Sequence, residues 1–320
     1  MKRDRALAYV AFAIVCIVWG TTYLAIRVAV ATIPPFLLTG ARFIIAGLVL
    51  FAVARFRGEA MPRGKRLLGE LLLVGLLMVG IGNLSVVWAE QWVPSGFAAL
   101  LVATAPFWAA ILERARKDGD RIDLRRGVGM LIGFVGVALL VTPGGAGGAF
   151  DLHFLLGALA IQIGSMAWQY GTSRGKYNLS AVPPLMSSAM QMLVGGVAVM
   201  VVGLAIGEPR RLTFTIKGIA ALAYLTTFGS LLAYTSYVYA LKKLRVTTMS
   251  LYAYINPLVA VLLGWLILDE RLTWVSIAAM CIILAGVALV QSPRRRIRDD
   301  AKPFVFDGSR GAARVDAGRC

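Results

Sequence analysis

Ten apolar blocks, each close to twenty residues long, succeed one another along this chain, with short polar or basic stretches between them. Their approximate limits are 7–31, 35–55, 67–89, 95–113 and 124–141, then 153–173, 183–206, 216–240, 246–268 and 273–291. About twenty consecutive apolar residues is the length at which a helix crosses the hydrocarbon of a bilayer. A lone segment in hydrocarbon must satisfy its own backbone, so each block predicts a helix.

The pattern is written twice. Trp19 is followed fifteen residues later by Pro34-Pro35, and Trp168 stands at the same distance from Pro183-Pro184. The offset of 149 residues carries Gly47 to Gly196, Gly80 to Gly229 and Trp88 to Tyr237, and a slip of one or two pairs Pro106 with Pro257. GVALLV at 136–141 meets GVALV at 286–290. An internal repeat of this length decides architecture before any short motif does. The expectation is an all-α integral membrane protein of ten transmembrane helices, arranged as two five-helix repeats over 7–141 and 153–291. Residues 292–320 are expected to form a disordered basic tail.

Composition agrees. Mean hydropathy is +0.76, 59% of residues are hydrophobic and 15% charged, outside the range of soluble domains. The net charge of +17 would suggest nucleic acid in a soluble chain, but here the basic residues crowd alternate loops. Lys2, Arg3 and Arg5 begin the chain, Arg57, Arg63, Lys65 and Arg66 follow the second block, and Arg114, Arg116, Lys117 and Arg121 follow the fourth. Arg174, Lys176, Lys242, Lys243, Arg245 and the Arg294–Arg296 run continue the series. Loops 31–34, 90–94 and 142–152 have no Lys or Arg; Arg210, Arg211, Lys217 and Arg271 are the exceptions on that face. The bias predicts a multi-pass protein of the cytoplasmic (inner) membrane with both termini cytoplasmic. Five spans per copy is an odd number, so the second copy is expected to enter from the opposite side. Inverted repeats of this kind mark transporters with a site near the midplane. The basic, apolar start with Ala29-Val30-Ala31 imitates a signal peptide, but cleavage there would remove Trp19, the mate of Trp168.

Polar and aromatic groups at depth are the candidates for chemistry. Arg42 lies roughly 10 Å below the outer face at 1.5 Å per residue, where an arginine costs up to about 3 kcal/mol on insertion scales. It either pairs with Glu90 or holds a substrate carboxylate; a structural ion pair or a snorkelled side chain is the alternative. Glu90, partly desolvated at the end of the third helix, is a candidate proton carrier or simply a solvated group. Pro106 and Pro257 are expected to break the fourth and ninth helices at matching points, a pointer to a transporter site, with Thr104 and Asn256 beside them. Trp19 sits too deep to be an interfacial anchor. With Trp88, Trp168 and Tyr237 it could line an aromatic cavity, although packing explains any one of them alone. Asn83, Gln162, Gln169 and Gln191 are further buried polar positions, and Gln191 takes the place of Arg42 in the second copy. The cavity candidates are therefore Trp19, Arg42, Asn83, Trp88, Glu90, Trp168, Tyr237 and Asn256. Gly129, Gly133 and Gly136 form a small-residue stripe, expected to pack inside the chain, with a homodimer seam as the alternative.

Three dispersed cysteines suggest no disulfide framework, and a single His153 without clustered ligands suggests no metal. No Walker, HExxH, GxSxG or Rossmann pattern occurs. No cofactor and no nucleic-acid partner are expected.

WGTTYLAIR at 19–27, PPFLLTGARF at 34–43, AEQWVPSGFAALL at 89–101, TAPFWAAIL at 104–112 and YINPLVAVLLGWLILDE at 254–270 occur in a characteristic order. Through them the chain resembles the EamA-type carriers of the drug/metabolite transporter superfamily, and within it the inner-membrane exporters. The resemblance implies ten helices, a central cavity between the repeats, and export of small metabolites, amino acids or drugs by alternating access. It names no cargo. A membrane scaffold derived from a carrier is the main alternative, and an intramembrane enzyme would need a catalytic constellation that the sequence does not display.

Overall fold

The computed structural model describes residues 2–114, 124–140, 151–244, 246–249, 252–270 and 273–291. The expected tail at 292–320, most of loops 114–126 and 142–152, Arg245 and Arg271 lie outside them.

The described residues fold as helices with short connections. They are α1 (Lys2–Val30), α2 (Pro35–Phe56), α3 (Lys65–Ala89), α4 (Ser95–Val102), α5 (Ala105–Arg114) and α6 (Leu124–Leu140) in the first half. The second half has α7 (Leu152–Asn178), α8 (Pro184–Ala205), α9 (Ile216–Lys243), α10 (Val246–Met249), α11 (Tyr252–Leu268) and α12 (Trp274–Gln291). Among the described residues, α1, α2, α3, α7, α8, α9 and the α4–α5 stretch Ser95–Leu112 make seven segments long and apolar enough to cross a membrane, and three apolar stretches, Gly127–Leu139, Ile255–Leu268 and Trp274–Leu289, are shorter. Every block expected from the sequence is helical over its described residues, and the fourth is assembled from two pieces, α4 and α5.

Local chemistry sets the helix starts. Pro35 and Pro184 each occupy a first helical position, where the missing N–H costs nothing. Asp151 Oδ1 accepts from Phe154 N at 2.8 Å to cap α7, and Thr215 Oγ1 accepts from Gly218 N at 3.1 Å to cap α9. Two other starts are capped from the far half. Glu208, just past α8, accepts from Phe36 N (3.3 Å) and Leu37 N (2.9 Å) at the head of α2. Glu59, just past α2, accepts from Met186 N (3.1 Å) at the head of α8. The two glutamates are themselves 149 residues apart.

α2 and α8 cross antiparallel along their length. A Cβ on Gly40 would meet Met200, one on Gly47 would meet Leu193, and one on Gly203 would meet Phe36. α6 and α12 pair in the same sense: a Cβ on Gly286 would fall 2.5 Å from Gly133 N and 2.6 Å from Gly129 O. The small-residue stripe of α6 is thus taken up inside the chain, against α12 and Phe107.

Both long helices α3 and α9 widen into π turns, over Leu76–Asn83 and Leu225–Tyr234. These stretches begin 149 residues apart, and such turns recur at functional sites. The proline expectation divides. The fourth block does break, at Ala103–Thr104, and Pro106 then sits near the start of α5, where its lost donor is harmless. Pro257, in contrast, lies inside the continuous helix α11. Only one backbone donor is missing there, which a helix in a packed bundle tolerates, so the expected break at Pro257 is not observed.

Three apolar clusters make up the core. One gathers the first half of α1 with Leu71, Met78, Met186, Tyr234 and Tyr237. A second joins Phe97, Phe107, Phe154 and Ile283, and a third joins Ile26, Leu37, Val87 and Leu225. Trp19, Tyr23 and Ile26, successive residues on one face of α1, belong to the first, second and third respectively.

Candidate functional site

A cleft of about 600 Å³ opens where those three clusters meet. α1 contributes Trp19, Thr22 and Tyr23, α2 contributes Arg42, and the π turn of α3 contributes Gly82 and Asn83. Ser165 and Trp168 enter from α7, and Tyr252 and Asn256 from α11. Trp19 anchors the aromatic wall. Its ring meets Trp168 edge-on at 5.4 Å and Tyr252 edge-on at 5.2 Å, and its Nε1 donates to Gly229 O at 3.2 Å. Such edge contacts contribute about 0.5–1.5 kcal/mol each beyond area burial.

Arg42 is only 2% exposed. Its Nε donates to Ser230 Oγ at 2.7 Å, its Nη1 reaches Asn83 Oδ1 at 3.5 Å, and its guanidinium lies 4.7 Å from the Phe43 ring centroid. Both oxygen acceptors belong to the π turns of α3 and α9, so the widened backbone shapes the seat of this cation. Gly229 lies against it: a Cβ there would come 2.8 Å from Nη2. The amide of Asn256, oriented so that its nitrogen donates, reaches Cys16 O (2.9 Å) and Tyr252 O (3.2 Å) and ties α11 to α1.

The break in the fourth block is clamped from α7. Gln162 Nε2 donates to Leu101 O at 3.1 Å, and its Oε1 accepts from Thr104 Oγ1 (2.8 Å) and Trp108 Nε1 (3.0 Å).

The equivalent place in the second half is occupied by side chains. Gln191, the mate of Arg42, is 2% exposed; its Oε1 accepts from Tyr234 Oη at 2.8 Å and its Nε2 donates to Ser187 Oγ at 2.8 Å. The space beside it is about 300 Å³.

The sequence also matches a family model twice, over residues 6–142 and 155–292: that of the EamA-like transporter family. The chain belongs to this family. It is 36% identical over 275 residues to the uncharacterized inner membrane transporter YedA of Escherichia coli (strain K12), spanning 86% of this chain and 87% of that protein. The uncharacterized transporter YoaV of Bacillus subtilis (strain 168) is 22% identical over 85% of this chain and 92% of its own. A crystal structure of 21% identity superposes with a TM-score of 0.67, covering 92% of this chain and 100% of that one, which speaks for the fold alone. The EamA-like chain is thus a multi-pass inner-membrane protein of a transporter family.

Within this EamA-like framework the expected site residues divide. Trp19, Arg42, Asn83, Trp168 and Asn256 share the cleft. Tyr237 stands behind it, 1% exposed, its ring 5.1 Å from Trp19 and its hydroxyl 2.9 Å from Thr172 Oγ1. Trp88 packs on Trp92 at 4.8 Å in a separate crevice with Glu208 and Arg211. Glu90 lies just past the end of α3, fully buried, and does not pair with Arg42. The nearer cation is Arg27, whose Nη1 donates to the Glu90 backbone carbonyl. Among the described residues neither Glu90 carboxylate oxygen has a hydrogen-bond partner. Burial pushes this carboxyl well above its usual range; Glu270 pushes the same way and Arg27 opposes. Tyr23 and Ser165 were missed, although each stands one helical turn from a tryptophan already singled out.

Proposed function

We propose that this EamA-like protein is a secondary transporter that exports small organic solutes across the cytoplasmic membrane by alternating access. In this reading ten spans form two five-helix units, 7–141 and 153–291, inverted about the membrane plane, with both termini cytoplasmic. The observation that carries it is the inequality of two places related by the repeat. Around Arg42 there is a cleft lined by aromatic and amide side chains, and around Gln191 the space is about half as large, with the amide held by Tyr234 and Ser187. One protein holding a wider and a narrower version of the same place is what a rocking carrier looks like in one of its two states. The antiparallel α2–α8 and α6–α12 pairs support the inversion.

Proton coupling is part of the proposal. A carboxyl buried with no partner is stable only as the neutral acid, and Glu90 would release its proton when the opposite state brings it to water.

The test is flux. Purified protein in vesicles loaded with a mixed metabolite panel should release a subset of it, faster with an inward proton gradient. Release of nothing, by protein that remains folded, overturns the transporter reading and favours a scaffold. Labelling of cysteines placed near residues 3 and 300 should find both on the cytoplasmic side, and opposite placement would remove the inversion.

A further inference from the structure

From the charge inventory of the cleft we infer that the cargo is a small organic anion, a carboxylate carried on an aromatic or aliphatic body. This deepens the transporter reading and rests on it for the passage, but the binding site can be tested separately.

Arg42 brings a permanent positive charge to a place 2% exposed, and among the described residues no carboxylate forms an ion pair with it. A guanidinium has five N–H donors. Here one makes a 2.7 Å bond to Ser230 Oγ and one a long contact of 3.5 Å to Asn83 Oδ1. Among the described residues Nη2 makes no hydrogen bond, and the side chain lines the cleft. A buried cation without a counter-charge is costly, and the cost is relieved by an anion that can accept two parallel N–H bonds. A carboxylate does this in the geometry that the arginine fork presents.

The rest of the lining fixes the other end of the cargo. Trp19, Tyr23, Trp168 and Tyr252 form an apolar, aromatic wall, and Asn83 and Asn256 are the amides within reach. Among the described residues no Asp or Glu lines the cleft. An ammonium group would therefore find no counter-charge, so a cationic drug or a zwitterionic amino acid is disfavoured relative to a plain acid. The second copy has discarded this chemistry. Gln191 replaces Arg42, and a Cβ on Gly80, the mate of Gly229, would meet only Leu76, at 3.8 Å. The room that Gly229 leaves for the guanidinium is a feature of one half alone.

Three probes of one body and different charge make the test: 3-phenylpropionate, 3-phenylpropionamide and 3-phenylpropylamine. Binding to the full-length protein in detergent is read by tryptophan fluorescence, with Trp19 and Trp168 in the cleft. The expected order is the acid at least tenfold tighter than the amide, and the amide tighter than the amine. Arg42→Gln should weaken the acid at least tenfold and leave the amide within twofold. Arg42→Lys, which keeps the charge, should preserve the order with reduced affinity, so that a folding failure of the Gln variant does not decide the matter. A wild-type protein that shows no preference for the acid, including one that binds none of the three, overturns the inference. Flux in vesicles separates the two readings: acid-selective binding without release would retain the anion site and remove the transporter, whereas release without charge preference would do the opposite.

Discussion

At the scale of single residues, depth and azimuth carry different information. Depth could be counted from the helix ends: it set Trp19 near the centre of its helix and Arg42 about two turns into its own, and both line the cleft. Azimuth could not be counted. Tyr237 shares the depth of Trp19 and stacks 5.1 Å from it, yet faces away from the open space. Arg42 and Glu90 suggested a pair because one helix end lay near the other, but the arginine turns to Ser230 and the carboxyl has no hydrogen-bond partner among the described residues. That solitude has a pH signature. Because folding raises the Glu90 pKa, the folded state binds a proton that the unfolded chain releases, so stability falls as pH rises above the ordinary carboxylate range. Glu90→Gln removes the penalty. The variant should melt higher than wild type at pH 8, and the difference should vanish as pH approaches about 4, the unfolded carboxylate value. Equal melting temperatures at both pH values would mean that Glu90 is solvated after all.

Elements show a second division between what sequence tells and what it hides. Apolar runs located every helix, because length and hydropathy are sums over many residues and tolerate local irregularity. The π turns were invisible: Leu76–Asn83 and Leu225–Tyr234 are as apolar as their surroundings, and the extra residue per turn leaves no compositional mark. Proline was legible as a hazard but not as an outcome, since Pro106 follows a real break and Pro257 does not. Glycine contacts allow sharper expectations. Gly286→Ala would drive a methyl into backbone atoms of Gly133 and Gly129, and neither can yield without parting α6 from α12. It should cost about 1–3 kcal/mol, seen as a lower melting temperature. Gly69→Ala, whose Cβ would meet nothing within 4 Å, should be neutral or stabilising by up to about 1 kcal/mol. Glu208→Ala leaves the N–H groups of Phe36 and Leu37 without their acceptor and should cost about 0.5–2 kcal/mol, the range for a lost cap.

For the molecule as a whole, the twofold writing of the chain was the most legible feature; the family model matches residues 6–142 and 155–292. What the repeat could not reveal was inequality. Trp19 and Trp168 both reach the cleft, but Arg42 and Gln191, also related by the repeat, stand in surroundings of different size and chemistry. A sequence comparison of the halves records that difference as one substitution; packing turns it into a narrower place and a wider one.

Glu59 and Glu208 each reach out of their own half to the start of a helix in the other. Neither fragment, made separately, would hold the acceptor for its own second helix. Two polypeptides cut between residues 142 and 152 and expressed together should therefore reassemble and co-purify, whereas either one alone should be unstable and turned over. Mutual dependence of this sort adds the glutamate exchange to the packing of α2 on α8 and of α6 on α12, so that each half completes the other.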